Sequence, residues 1–161
     1  MSFQIHALSA VQFEPLFAMS ERELAKVRAT GMVVDGKPGY PCRVSLADAE
    51  IGETVILVNF MHQSGESPYQ ATHAIFVRET AKQVFPEVGA VPESLATRLI
   101  SIRAFDEKHL MVNADVVEGS RLNVSIPVMF QDPRVSYLHL HNAKPGCYAA
   151  RVTRALFTKP D

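Results

Sequence analysis

Apolar and polar residues alternate in short runs along most of this chain, and that period of two limits what it can fold into more than any other feature. Phe3-Ile5, Thr54 to Val58, Ala74 to Val77, Ile100 to Arg103, Leu110 to Val117, Val135 to His141 and Tyr148 to Val152 read as strands. The turn signals Asp35-Gly36, Lys37-Pro38-Gly39, Glu107-Lys108-His109 and Lys144-Pro145-Gly146 leave few residues between neighbouring runs. Hairpins fit such spacing, whereas a parallel crossover needs about a dozen residues or more. Helical signals are fewer. Ser20 with Glu23 forms a capping box before Leu24, and Pro92-Glu93 opens an amphipathic stretch carrying Leu95, Leu99 and Ile100. A third helix is expected from Ser120 towards Phe130, interrupted by Pro127. The expected fold is α+β, a mainly antiparallel β-sheet with two or three short helices.

At 161 residues and 47% hydrophobic content, residues 1–161 are expected to form a single globular domain. Sixteen basic and 17 acidic residues are scattered, giving a formal charge of −1 and no electrostatic footprint for nucleic acid. No apolar run is long enough to cross a bilayer as a helix and the start has no signal-peptide pattern, so the expected setting is the cytoplasm, without a membrane partner. Cys42 and Cys147 are too far apart for a Cys-x-x-Cys motif and are expected to be free thiols. Dinucleotide and nucleoside-triphosphate cradles are excluded by the absence of their glycine patterns, and Gly-x-Ser-x-Gly is missing as well.

The chemistry concentrates near the C-terminal end. In Tyr137-Leu138-His139-Leu140-His141-Asn142, an extended backbone sends Tyr137, His139 and His141 to one side and Leu138 and Leu140 to the other. The same parity directs Leu110, Val112, Ala114 and Val116 inward and Asp115 to the opposite side. If these strands are neighbours, Arg103, Asp115, His139, His141 and Arg151 line one polar, partly covered face. An ordinary water-facing sheet surface is the competing expectation. The polar loop from Met61 to Gln70 is a candidate lid or a plain connection.

Three chemistries suit these residues. His139 and His141 are metal-ligand types, with Asp115, His62 or Glu118 as a third ligand. Cys147 close to His141, with Lys144 or Arg151 nearby, suits an activated thiol. Ten arginines against six lysines, with Arg43, Arg78, Arg103 and Arg151 inside strands, suit planar grips for a carboxylate or phosphate. No cofactor and no oligomeric state is implied, and His6 and His109 are expected to be solvated.

Lys37 to Leu46, Ser67-Pro68-Tyr69, Ile75 to Arg78, Arg103 to Asp106, Ala114 to Gly119 and His139 to Cys147 carry a resemblance to the bacterial family known as domain of unknown function 1203. The resemblance covers nearly the whole chain and implies a stand-alone bacterial domain; it brings no activity with it. The chain departs from that pattern at Thr72-His73, Asn113 and Thr153.

The residues support an enzyme acting on a small anionic metabolite, or a non-catalytic module for a small carboxylate or phosphate, or a structural, partner-binding protein. In the enzyme, His139 or His141 is base or ligand, Asp115 orients it, and Asn142 donates to a polarised oxygen. Cys147 is the candidate nucleophile. Arg103 or Arg151 clamps the anion, with Tyr137, Arg43 and Arg78 as further binding candidates.

Overall fold

The computed structural model describes residues 2–155. Their strands are β1 (Phe3–His6), β2 (Ala29–Val33), β3 (Thr54–Gln63), β4 (Ala71–Arg78), β5 (Leu99–Phe105), β6 (Met111–Glu118), β7 (Tyr137–Asn142) and β8 (Tyr148–Arg154). Short helices α1 (Glu21–Lys26), α2 (Glu93–Ala96) and α3 (Leu122–Met129) complete the set, with 3-10 turns at Glu14–Ala18 and Gly119–Arg121. The fold is α+β with every strand pairing antiparallel. No helix among the described residues is long and apolar enough to cross a membrane.

The chain gathers into two compact units, one made of residues 2–6, 65–69 and 85–155, the other of residues 7–64 and 70–84. In the second unit β2, β3 and β4 form a three-stranded sheet. Leu24, Ile56, Val58, Ile75 and Val77 are buried together in its core with Phe13, Cys42 and Val44. The capping box at the start of α1 forms as its sequence dictates: the Glu23 backbone N–H donates to Ser20 Oγ and the Ser20 backbone N–H to the Glu23 carboxylate.

The first unit holds a five-stranded sheet in the order β1-β8-β7-β5-β6. Partners directly opposite in an antiparallel ladder share a face, so the register defines two rows of opposite character. Ile5, Val152, Leu138 and Ala104 form one row, and Ala150, Leu140 and Ile102 lie beside it on the same face, all of them buried. That face carries apolar core. Arg154 also belongs to it: its guanidinium lies 4.8 Å from the Phe130 ring centre and donates to the carbonyls of Val135, Phe130 and Asp132 just beyond α3. The opposite face carries the histidines.

Several expectations are corrected. Ala114 pairs with Arg103 and Val116 with Ser101, so these β6 residues lie on the histidine face; Val116 is 55% exposed. β6 is the edge of the sheet, and alternation on an edge strand does not fix which face is covered. The helix opened by Pro92 lasts a single turn, and Leu99 and Ile100 belong to β5. Helix α3 runs through Pro127 to Met129; a proline near the end of a short helix removes one backbone donor and here does not break it. Met61 to Gln63 continue β3, so the supposed lid shrinks to residues 64–70 between β3 and β4.

Candidate functional site

Across the five-stranded sheet one row of partners reads His6, Arg151, His139, Arg103 and Ala114. A neighbouring row places Tyr148, His141 and Ser101 side by side, and Phe105 pairs with Tyr137 on the other flank. The sheet thus carries three imidazoles, two guanidinium groups and three aromatic rings on one face of unit one. His139 is 2% and His141 0% exposed, Arg103 is half-buried, and Arg151 is exposed.

Aromatic packing fixes the imidazoles. Tyr148 meets His139 and His141 edge-on, with ring centres 5.2 and 5.9 Å apart. Phe105 stacks on Tyr137 at 5.4 Å and meets His139 edge-on at 5.3 Å. Such pairs prefer tilted or offset arrangements, and here they hold ring orientation as well as burying apolar surface. The Arg151 guanidinium lies 4.3 Å from the Tyr137 ring centre. A cation on a ring face is positioned without using its N–H donors, so the fork of Arg151 stays available to an acceptor.

The β7–β8 turn sets the His141 tautomer. Gly146 has φ 78°, a left-handed conformation that glycine adopts without a Cβ penalty, and its carbonyl lies 3.0 Å from His141 Nδ1. A carbonyl only accepts, so Nδ1 carries the hydrogen and the neutral ring keeps its lone pair on Nε2. Beyond the turn, His141 pairs with Tyr148 but Leu140 with Ala150, which leaves Ala149 as an extra residue. That bulge shifts the side-chain phase and brings both Tyr148 and Arg151 to the histidine face.

The electrostatics of the face are cationic. Among the described residues Arg103 makes no hydrogen bond or ion pair, and burial alone lowers the pKa of its guanidinium, which still stays charged. Burial, and then the neighbouring Arg151 charge, hold His6 below the ordinary imidazole value; its Nε2 sits 2.8 Å from Thr153 Oγ1. The acidic residue that strand parity places on this face is Glu118, at the exposed end of β6.

The expected cluster is therefore only partly assembled. Arg103, Tyr137, His139, His141 and Arg151 do come together. Asp115 does not: it pairs with Ile102, which puts it on the apolar side of the sheet, where it is exposed at the edge and accepts from the Val116 backbone N–H. Asn142 pairs with Ile100 and also belongs to the other face; its Nδ2 donates to Cys147 Sγ at 3.6 Å. Cys147 lies opposite Asn142 through the hydrogen bond from Asn142 N to Cys147 O, so the turn sets the thiol against an amide side chain. Arg43 and Arg78 belong to the other unit. Arg43 is buried and donates to the Pro41 carbonyl, while Arg78 pairs with Glu53 at 2.6 Å. His62 is there too, on β3, 2.6 Å from Nδ1 of His73.

Two contributors escaped the sequence reading. His109 is not a free turn residue: at φ 62° in the β5–β6 connection, it places Nδ1 2.8 Å from the Tyr137 hydroxyl. Residues 65–69 fit around it, with Ser67 Oγ donating to the His109 carbonyl and Tyr69 edge-on to Phe105 at 6.0 Å. A Cβ at Gly65 would come within 2.2 Å of the His109 ring, so only glycine fits there without displacing the ring. Tyr148 is the other; the bulge at Ala149 that turns it to the histidine face has no sequence signature.

No curated protein and no solved structure matches this chain significantly. Residues 39–154, which include every strand of the histidine face except β1, match the family described as protein of unknown function (DUF1203), and the chain belongs to that family.

Proposed function

We propose that the histidine face of the five-stranded unit binds a small anionic ligand, a carboxylate or a phosphate, between Arg103 and Arg151 and over His139. The observation that carries this reading is Arg103, a half-buried guanidinium with no acceptor among the described residues. A desolvated cation without a counter-charge destabilises the fold, and an anion in reach offsets that cost directly. Partner strands lie about 5 Å apart, so Arg103 and Arg151 start about 10 Å apart on either side of His139, a span that two guanidinium forks can close on one oxyanion. Arg151 is already held flat on Tyr137 with its donors unspent.

Catalysis on the bound anion is the second reading, and the His141 tautomer favours it. A neutral imidazole with Nδ1–H fixed on a carbonyl has an oriented lone pair for proton abstraction. The orienting group is the Gly146 backbone, in the role that strand parity suggests for Asp115.

Thermal unfolding in inorganic phosphate or in malonate, at ionic strength matched with sodium chloride, tests the binding. One of these anions at about fifty times its Kd raises the melting temperature of the wild-type chain by roughly 4–9 °C. Arg103→Gln combined with Arg151→Gln abolishes the rise, while Arg134→Gln, which breaks an exposed pair with Asp132, leaves it intact. An equal rise in the double variant, or none with either anion in the wild type, defeats the proposal.

A further inference from the structure

We infer that His139 and His141 together ligate one first-row divalent transition metal ion. The inference goes beyond anion binding and needs neither arginine. A ring nitrogen of His139 lies within 4.8 Å of one of His141, and the ring centres are 6.3 Å apart at an interplanar angle of 41°. Nitrogens bound to one zinc-sized ion at about 2.0–2.1 Å stand roughly 3.0–3.4 Å apart, so a small shift of the His139 ring, with His141 kept on the Gly146 carbonyl, brings the pair onto a common ion.

A second observation points the same way. Metal-bound histidines donate their other ring N–H to a carbonyl or carboxylate, which fixes the tautomer and sharpens the donor nitrogen. His141 has that arrangement already, with Nδ1–H on the Gly146 carbonyl and Nε2 as the lone-pair atom. The backbone supplies the geometry: β7 is extended, so residues two apart project to the same side. Tyr148 then buttresses both rings edge-on. Imidazole donors select zinc, cobalt, nickel or copper over magnesium and calcium, which take oxygen ligands. Coordination positions not filled by these imidazoles are open to water, to other protein donors, or to an oxygen of the anion held by the arginines.

Zinc titration by calorimetry of tag-free, chelator-stripped full chain tests the site. One ion binds per chain, and His139→Gln and His141→Gln each weaken binding at least tenfold; magnesium does not compete. Because a buried imidazole can matter for folding, cobalt on the wild type provides an independent readout. In NMR spectra its paramagnetic broadening is centred on the His139 and His141 rings, ahead of His6 and His109. Wild-type chain that takes up no zinc at a tenfold excess, broadening centred on another histidine, or unchanged affinity in both folded variants overturns the inference. Arg103→Gln with Arg151→Gln keeps the full metal stoichiometry, so failure of the anion reading and failure of this one are told apart.

Discussion

Each residue on the histidine face owes its chemistry to a neighbour across a strand. His6 shows this most simply, because the β1–β8 register sets it directly opposite Arg151. Burial is the larger cause of its lowered pKa and the Arg151 charge the smaller, so Arg151→Gln moves the His6 pKa upward without restoring the ordinary value. The sign for stability follows. His6 is neutral in both states above about pH 6.5, and its contribution is lost as pH falls through the depressed folded value, since the unfolded chain takes the proton first. Proton NMR titration of the His6 ring in both proteins checks this, and an unmoved or falling pKa in the variant contradicts the register. The pair His139 and His141 was legible in the sequence, because strand parity is a local property. His109 and Tyr148 were not: one depends on a left-handed turn residue meeting a distant tyrosine, the other on a bulge.

At the scale of elements, alternation announced seven of the eight strands and failed on β2, where Ala29-Thr30-Gly31-Met32-Val33 combines a glycine with mostly exposed positions and shows no clear period. It also misjudged β6. A period of two states that two faces exist but not which one is covered, so parity alone puts Asp115 on the histidine side whereas its pairing with Ile102 puts it on the other. The β7–β8 hairpin was readable from Pro145-Gly146, and its turn makes the element's own prediction. Gly146→Ala forces an L-residue to φ 78° and costs about 1–2 kcal/mol, a fall of roughly 2–8 °C in melting temperature for a chain of this size. It also disturbs the carbonyl that holds His141 Nδ1. Thermal unfolding followed by circular dichroism measures the loss, and a melting temperature equal to wild type means that the turn does not adopt this conformation.

Over the whole molecule, composition described a near-neutral chain and concealed both its division and its charge layout. The first unit takes β1 from the start of the chain, residues 65–69 from the middle and the remainder from residue 85 onward, and no linker or change in composition marks those crossings. Likewise a formal charge of −1 gives no hint that two arginines and two histidines share one row of a sheet. The near-zero net charge has a consequence for binding. Long-range attraction of an anion by the molecule as a whole is negligible, so affinity must come from contacts at Arg103 and Arg151. Exposed charges are screened over about 10 Å at 0.1 M salt, but a half-buried group is screened much less. Raising sodium chloride from about 0.05 to 0.5 M therefore weakens phosphate or malonate binding only severalfold, most of it through the exposed Arg151. Titration calorimetry across that range measures the slope. A hundredfold loss would mean that the anion is held by diffuse surface charge and not by the guanidinium groups beside His139.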